Sequence, residues 1–308
     1  MGEVVLGLPR QFLRRSWQLV ALLVHAGLAT TACVRKPDES RGHVVLVDDA
    51  GDTVRLARPA RRVVSLIPAT TELLFAIGAD SLVVGRTSYC DYPPAAQAVP
   101  NLGDGIKPSI EAILSRRPDL VLLYNSGQNA AVAGRLRQLG IQPVRLNTDR
   151  LSDVTRIASI LGTLTAHRRG ADSLAAVFDT ALASATSSPP RQRPKVLLLV
   201  WEQPPMTIGR GSFLHELVER AGGENLFADV SASSGIVSIE AVAQRHPDLI
   251  FTTTAGPSGF ASRPEWQVVS AIREHRFLQV SGSEFNRPSP RAPQAIRTLA
   301  ALMKRVHE

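Results

Sequence analysis

The sequence predicts an α/β protein of two lobes, each a parallel sheet covered by helices, joined by one long α-helix. Three observations predict it. The first is a stretch that occurs twice: residues 109–127 read SIEAILSRRPDLVLLYNSG and residues 238–256 read SIEAVAQRHPDLIFTTTAG, with nine of nineteen positions identical. Two copies are too few for a solenoid and read as a duplicated lobe. The second is the apolar run that follows in each copy, Leu120–Leu123 or Leu249–Phe251. It has the length of a strand buried on both faces, which belongs in a parallel sheet with helices on either side. The third is residues 151–187, which carry no strand pattern but a helical stripe through Leu151, Val154, Ile157, Leu161 and Leu164. They read as the connecting helix, kinked near Gly162.

The repeat has its own local logic. Ser109 and Ser238 are placed to cap a short helix. Glu111 and Glu240 follow two residues later, where the helix dipole favours an anion. The helix stops ahead of Pro118 or Pro247.

A chain of 308 residues accommodates two domains of ordinary size. Hydrophobic content of 44% and charged content of 20% mark a globular chain. The formal charge of +8 comes mostly from arginine, yet no run of five basic residues occurs. No zinc-finger spacing or recognition helix accompanies it. The charge therefore reads as solvated surface with an attraction to anionic membrane, and nucleic acid is excluded as a partner.

Taken in order, residues 1–32 form a targeting segment. Arg10, Arg14 and Arg15 make a basic start, and Leu19–Leu28 is an apolar run too short to span a bilayer. Small residues then lead to Cys33. This resembles a bacterial lipoprotein signal, with Cys33 as the lipidated new N-terminus, although Thr30 stands where leucine is usual. Arg14-Arg15 is a faint twin-arginine pattern. Residues 33–42 read as a tether.

The N-terminal lobe spans 43–148. Asp49–Asp52 turns a hairpin. Val63–Ile67 is a strand, followed by a helix capped by Thr70 or Thr71 and stopped by Gly78. After a strand over Leu82–Gly85 comes a loop that clusters Tyr89, Cys90, Asp91 and Tyr92. It lies beyond a strand's carboxyl end, where open α/β sheets take ligands. A helix over Asn129–Leu139 and a strand over Ile141–Leu146 complete the lobe. The connecting helix occupies 149–190 and the C-terminal lobe 191–308. That lobe reads as a strand Val196–Trp201, a long loop 201–212, a helix Ser212–Ala221, the second repeat copy, a helix Trp266–Ala271, a strand Phe277–Val280, a loop 281–291 and a closing helix Ala292–Val306.

Catalytic motifs are sparse. Gly209-Arg210-Gly211 is half a dinucleotide fingerprint, with Leu214 where the third glycine belongs. No Gly-x-Ser-x-Gly elbow or Walker loop occurs. His215 and Glu219 are four apart, a common surface pair and not a metal site. Cys90 has no histidine partner and reads as a small packed residue. A nucleotide-dependent enzyme on a duplicated α/β fold is the alternative of another class, and the missing glycine pattern argues against it.

RRVVSLIPATTELLFAIGA, SYCDYPPAA, SIEAILSRRPDLVLLY, GGENLF and FNRPSPR, with the duplicated lobe and the leader, resemble the helical-backbone (class III) periplasmic substrate-binding proteins of ABC importers. The resemblance covers about 60–305 and is greatest to the cobalamin-binding branch. It implies two Rossmann-like lobes with a ligand cleft between them, no catalysis and no cofactor. It also implies a metal chelate as transported ligand and a lipid-anchored extracytoplasmic monomer. The partner would be an ABC permease dimer with its ATPase subunits. Glu111 and Glu240 match glutamates, one per lobe, that dock on permease arginines; a pseudo-two-fold protein suits a two-fold partner. Tyr89 and Tyr124 match cleft aromatics, Met206 stands where an aromatic is expected, and Arg287 matches a polar contact. Asp91, Trp201 and Phe285 lie on neighbouring loops. Two tryptophans of the branch are absent, with small residues at Gly105 and at Ser234-Gly235. A corrinoid or haem would stack on aromatic faces. A ferric siderophore would draw instead on Arg210, Arg263 and Arg287. The helical connection implies a small hinge motion.

Overall fold

The computed structural model describes Gly2 and residues 43–186, 192–252 and 259–307. The leader, Cys33, the whole tether and Gly256 of the repeat lie outside the described residues. Residues Gly42–Glu308 form one compact unit.

The N-terminal lobe opens with the expected hairpin, β1 (Val44–Val47) against β2 (Thr53–Leu56), with Val44 opposite Leu56. The Asp48 carboxylate holds its turn by accepting from the N–H groups of Ala50 and Asp52. Four strands follow: β3 (Val63–Ser65), β4 (Val83–Arg86), β5 (Leu120–Tyr124) and β6 (Gln142–Leu146). They form a parallel sheet in the order β4-β3-β5-β6. β3 is wholly buried, as is β5 as far as Leu123, because helices cover both faces.

The helices of this lobe are α1 (Pro68–Ala76), α2 (Ile110–Ser115) and α3 (Gly127–Gln138). α1 starts earlier than its threonines suggest. Pro68 takes the first position, where its missing N–H costs no bond. Thr70 and Thr71 therefore lie inside the first turn and donate back to the Ile67 carbonyl, at 2.9 and 3.3 Å, instead of capping.

The connector departs from expectation. In place of one helix kinked at Gly162 there are two, α4 (Asp153–Thr165) and α5 (Arg168–Ala185). The break falls at Ala166, which is left-handed at φ 61°, and at His167, whose Nδ1 lies 2.8 Å from the Thr165 carbonyl oxygen. α4 packs on α1 and belongs to the N-terminal lobe. α5 packs on α1 and also on the closing helix of the other lobe. The two-lobed plan with one joining helix therefore holds, with α5 alone as the joint. Its 18 residues span about 27 Å.

The C-terminal lobe contains β7 (Lys195–Glu202), β8 (Pro205–Ile208), β9 (Glu224–Asn225), β10 (Ser234–Ile236), β11 (Leu249–Thr252) and β12 (Phe277–Gln279). β9, β7, β11 and β12 run parallel, while β8 and β10 extend the sheet antiparallel. The expected long loop over 201–212 is thus largely a hairpin, in which Met206 lies opposite Trp201. Its turn, Gln203-Pro204, lacks the Asn-Gly or Gly-x chemistry that announces a hairpin in sequence. The helices are α6 (Phe213–Arg220), α7 (Ile239–Arg245), α8 (Ser270–Arg273) and α9 (Ala292–His307). The expected helix over Trp266–Ala271 is instead a 3-10 turn, Pro264–Val268, divided from α8 by extended Val269. The turn buries Trp266 against Phe260, ring centroids 4.9 Å apart.

The two repeat copies fold alike. Ser109 Oγ accepts from the Ala112 N–H at 3.2 Å, and Ser238 Oγ from the Ala241 N–H at 3.1 Å. Asp119 accepts from the Arg62 N–H at 2.9 Å, and Asp248 from the Lys195 N–H at 2.8 Å. Each aspartate thereby latches the start of its own strand to the start of the parallel neighbour, β5 to β3 and β11 to β7.

Candidate functional site

Loops beyond the carboxyl ends of β3, β4, β5 and β6 meet the loop after β12 around a cleft of about 480 Å³. The N-terminal lobe contributes Pro68 and Ala69 at the start of α1, with Tyr89, Asp91 and Tyr124. The C-terminal lobe contributes Ser283, Asn286 and Arg287. The position is the one a parallel sheet offers a ligand, and the volume suits a small molecule.

Tyr89 presents its ring openly, 57% exposed. Tyr124 is more enclosed, and its hydroxyl donates to Asp149 Oδ1 at 2.8 Å. Burial first, then this bond to a carboxylate, pushes the phenol up to about 12. The ring is thereby kept neutral and fixed in orientation.

Arg287 lines the cleft, but each of its three nitrogens already has a partner. Nε donates to Glu72 Oε1 at 2.6 Å, Nη1 to the Tyr89 carbonyl at 3.1 Å and Nη2 to Asp91 Oδ1 at 2.5 Å. Burial pushes the Asp91 carboxyl up, and the bond and charge of Arg287 outweigh it, leaving Asp91 below its ordinary value. Glu72, on α1, is only 3% exposed. It also accepts from Arg291, Nη2 to Oε1 at 2.8 Å and Nε to Oε2 at 3.1 Å. Arg291 in turn pairs with Glu284 and covers the Tyr92 ring, 3.9 Å from its centroid. One buried carboxylate of the first lobe thus anchors two guanidinium groups of the second.

Glu72 and Arg291 escape a reading of the sequence for site residues. A signal was present: Glu72 is the one charged side chain in PATTELLFA, and a carboxylate on such a helix needs a buried cation. The RPSPR loop supplies two.

Other expected residues lie elsewhere. Phe285 is 3% exposed and packs in the core against Phe251, ring centroids 6.3 Å apart, so it is not a cleft residue. Trp201, 61% exposed, lines a second hollow of about 410 Å³ with Val200, Glu202, Gln203 and Arg263. Its Nε1 donates to the Gln203 carbonyl at 2.8 Å. Met206 sits across the hairpin from it, half-buried. Arg263 is paired with Glu202 at 3.4 Å. Gly105, where the resemblance implies a tryptophan, is left-handed at φ +78°, and a Cβ there would sit 2.6 Å from Thr87 Cγ2.

The remaining motifs resolve structurally. Gly209 lets β8 approach the chain before β10: a Cβ would sit 2.2 Å from the Ala232 carbonyl oxygen. Cys90 is buried among hydroxyls, with Thr71 Oγ1 donating to its Sγ at 3.0 Å. Glu219, near His215, is taken by Arg193. Among the described residues no group of three could hold a metal ion. Glu111 and Glu240 are exposed in the first turns of α2 and α7, with no cationic partner among the described residues. Backbone and serine hydrogen bonds hold both carboxyls below their ordinary value.

A parallel sheet and a mixed sheet, one joining helix and a cleft at the strand ends define a two-lobed solute-binding protein. The chain belongs to the periplasmic binding protein family, whose sequence model matches residues 63–281. Within it the chain falls in the helical-backbone class, most like the cobalamin-binding branch. It is 28% identical over 248 residues to the vitamin B12-binding protein of Vibrio cholerae, covering 80% of this chain and 90% of that one. The crystal structure of the periplasmic vitamin B12 binding protein of Vibrio cholerae matches at TM-score 0.66 and 26% identity, over 81% of this chain and 99% of that one. An uncharacterized ABC transporter substrate-binding lipoprotein of Bacillus subtilis is 27% identical over 268 residues, 83% of this chain and 84% of that one. The apo periplasmic heme-binding protein of Roseiflexus shares the fold at TM-score 0.71 and 23% identity, over 81% of this chain and all of that one. The chain is an extracytoplasmic substrate-binding protein of an ABC transporter, of the class serving B12, haem and siderophores. It is a binding protein and not an enzyme.

Proposed function

We propose that the cleft captures cobalamin or a related corrinoid and that Glu111 and Glu240 present it to the permease dimer, with the protein held by a lipid on Cys33. The observation that carries the ligand is the charge balance of the cleft. Arg287 faces Glu72 and Asp91, and Arg291 faces Glu72 and Glu284. A haem with its propionates, or a ferric catecholate, calls for an unpaired cation. A corrinoid has a flat face and an edge of uncharged amides. It calls for aromatic rings and hydrogen-bonding groups, which Tyr89, Tyr124, Thr148, Ser283 and Asn286 supply. The docking role is supported by two equally capped, exposed carboxylates, one per lobe. The anchor is supported by the small residues before Cys33 and by the lipoprotein name of the Bacillus relative.

The test is calorimetry and tryptophan quenching on residues 34–308 with cobalamin, haem and ferric siderophores in parallel. Saturable one-to-one cobalamin binding, weakened in Tyr89→Ala and Tyr124→Ala, is the expected result. Tight haem or siderophore binding without cobalamin binding would overturn the ligand.

A further inference from the structure

The arginines are dispersed in sequence, and the fold gathers several of them at the end of the N-terminal lobe opposite the cleft. Arg61 and Arg62 precede β3, and Arg116 and Arg117 precede β5. β3 and β5 are parallel, so these arginines share one edge of the sheet. Arg62 Nε donates to the carbonyls of Arg116 and Arg117, at 3.1 and 2.9 Å, which locks the two segments together. Beside them a hollow of about 500 Å³ is lined by Arg55, Arg58, Asp119, Arg137 and Gln142.

The carboxylates at this end are largely engaged. Asp119 accepts from the backbone N–H groups of Arg61 and Arg62, and Asp52 pairs with Arg137 and Arg145. Asp80 stands at the far edge strand. Arg55, Arg58, Arg61 and Arg117 are exposed, and none has an ion-pair partner among the described residues. One apolar side chain stands beside them: Val45, 60% exposed, lies directly across the hairpin from Arg55. Cross-strand partners share a sheet face, so the hairpin presents a valine and an arginine together.

We infer that this face rests on an anionic phospholipid bilayer. Unpaired guanidinium groups match lipid phosphates, and the valine beside them matches the boundary between headgroups and acyl chains. The protein is extracytoplasmic, and among envelope surfaces a bilayer is the one that sets phosphates beside an apolar boundary, matching the arginines and the valine together. The compact unit also begins here, because Val44 lies opposite Leu56, between Arg55 and Arg58. α2 runs from Glu111 at the cleft end to Arg116 at this end. A protein resting on its arginines therefore turns its cleft toward solution. The inference rests on the extracytoplasmic location and not on the identity of the ligand.

The experiment is co-sedimentation of residues 34–308, which carry no acyl chain, with phosphatidylcholine vesicles with and without phosphatidylglycerol. Binding is expected only with the anionic lipid, falling steeply with salt. Each arginine near such a surface contributes about a five-fold factor, so Arg55→Ala, Arg58→Ala and Arg117→Ala together should lower partitioning about a hundred-fold. Removing equal charge from α9, by Arg297→Ala, Lys304→Ala and Arg305→Ala, should leave it unchanged. Equal losses in the two triple variants would show a net-charge effect and overturn the inference. So would equal partitioning to both vesicles, or capture by heparin with none by anionic vesicles.

Discussion

Glu72 and Arg287 stand 215 positions apart and form a 2.6 Å ion pair that ties α1 of one lobe to the loop after β12 in the other. With Arg291 on the same carboxylate, the link is a buried triad crossing the rim of the cleft. Burying charges is costly, and the cost is offset only while every partner is present. Glu72→Gln leaves two guanidinium groups facing each other with no anion between them. It should lower unfolding stability by about 3 kcal/mol, read from urea denaturation. A loss below about 1 kcal/mol would mean that the arginines find other partners or water.

Asp91 decides how much of Arg287 a ligand can use. Its carboxylate takes Nη2 from the open side of the cleft, while Glu72 takes Nε from the buried side. Asp91→Ala should release Nη2 without disturbing the buried pair. An anionic chelate gains a charge-assisted hydrogen bond, so affinity for haem should rise about ten-fold. Affinity for cobalamin should change little. Calorimetry with both ligands checks this, and a parallel loss for both would show that Asp91 only supports the loop.

Tyr124 offers a pH signature. Tyr124 is pushed up to about 12, by burial first and then by its bond to Asp149. The folded state therefore holds its proton above the value of about 10 expected of the unfolded chain. The sign follows: this stabilisation is complete below pH 10 and is lost as pH rises through the folded value. Absorbance titration of phenolate should show a late phase, and Tyr124→Phe should remove it. A titration unchanged in Tyr124→Phe would dissociate the late phase from this residue.

Asp91 and Asp52 work at the other end of the scale. For Asp91, burial opposes ionisation but Arg287 prevails; for Asp52, the bond to Arg145 leads. Both folded values lie below 3.8. Their stabilisation is present above pH 3.8 and is lost as pH falls through the folded values. Asp52→Asn should flatten the acid limb of the stability curve, measured by thermal unfolding between pH 2 and 5. An acid limb identical to that of the parent chain would exclude this pair as a contributor.

The break between α4 and α5 shows where sequence stopped being legible. The apolar stripe of 151–164 continues in register toward Ala171 and Phe178, so period alone reads one helix. What interrupts it is Ala166 in the left-handed region, with neither glycine nor proline to announce it. Ala166→Gly should stabilise the protein by about 0.5–1 kcal/mol, because glycine takes that conformation without the Cβ clash. Denaturant midpoints check it. The β7–β8 hairpin was hidden for the same kind of reason, a turn without turn residues. The repeat, by contrast, was legible down to its serine caps, because cap, proline and apolar run are local signals. Among the residues that line the cleft, Tyr89 and Asp91 were legible from their loop beyond a strand end, and Tyr124 from the family resemblance. Glu72 and Arg291 were not, because their roles exist only across 219 positions.

The repeat also carries the last expectation. Glu111 and Glu240 sit two residues after their capping serines, exposed, ionised and unpaired among the described residues. Structural complements of the helix dipole would contribute only a few tenths of a kcal/mol at an exposed site. Reversing them should then leave transport unaltered. If they dock on permease arginines, Glu111→Lys and Glu240→Lys each place like charge against like charge and should slow delivery strongly, and the double change should abolish it. Affinity for the ligand should stay unchanged, because neither residue lines the cleft. Ligand-stimulated ATPase activity of the reconstituted transporter, measured beside calorimetry on the same variants, separates the two accounts. A duplicated lobe adds a further constraint: the two single changes should be similar in size, since each removes the same contact from one half of a two-fold partner.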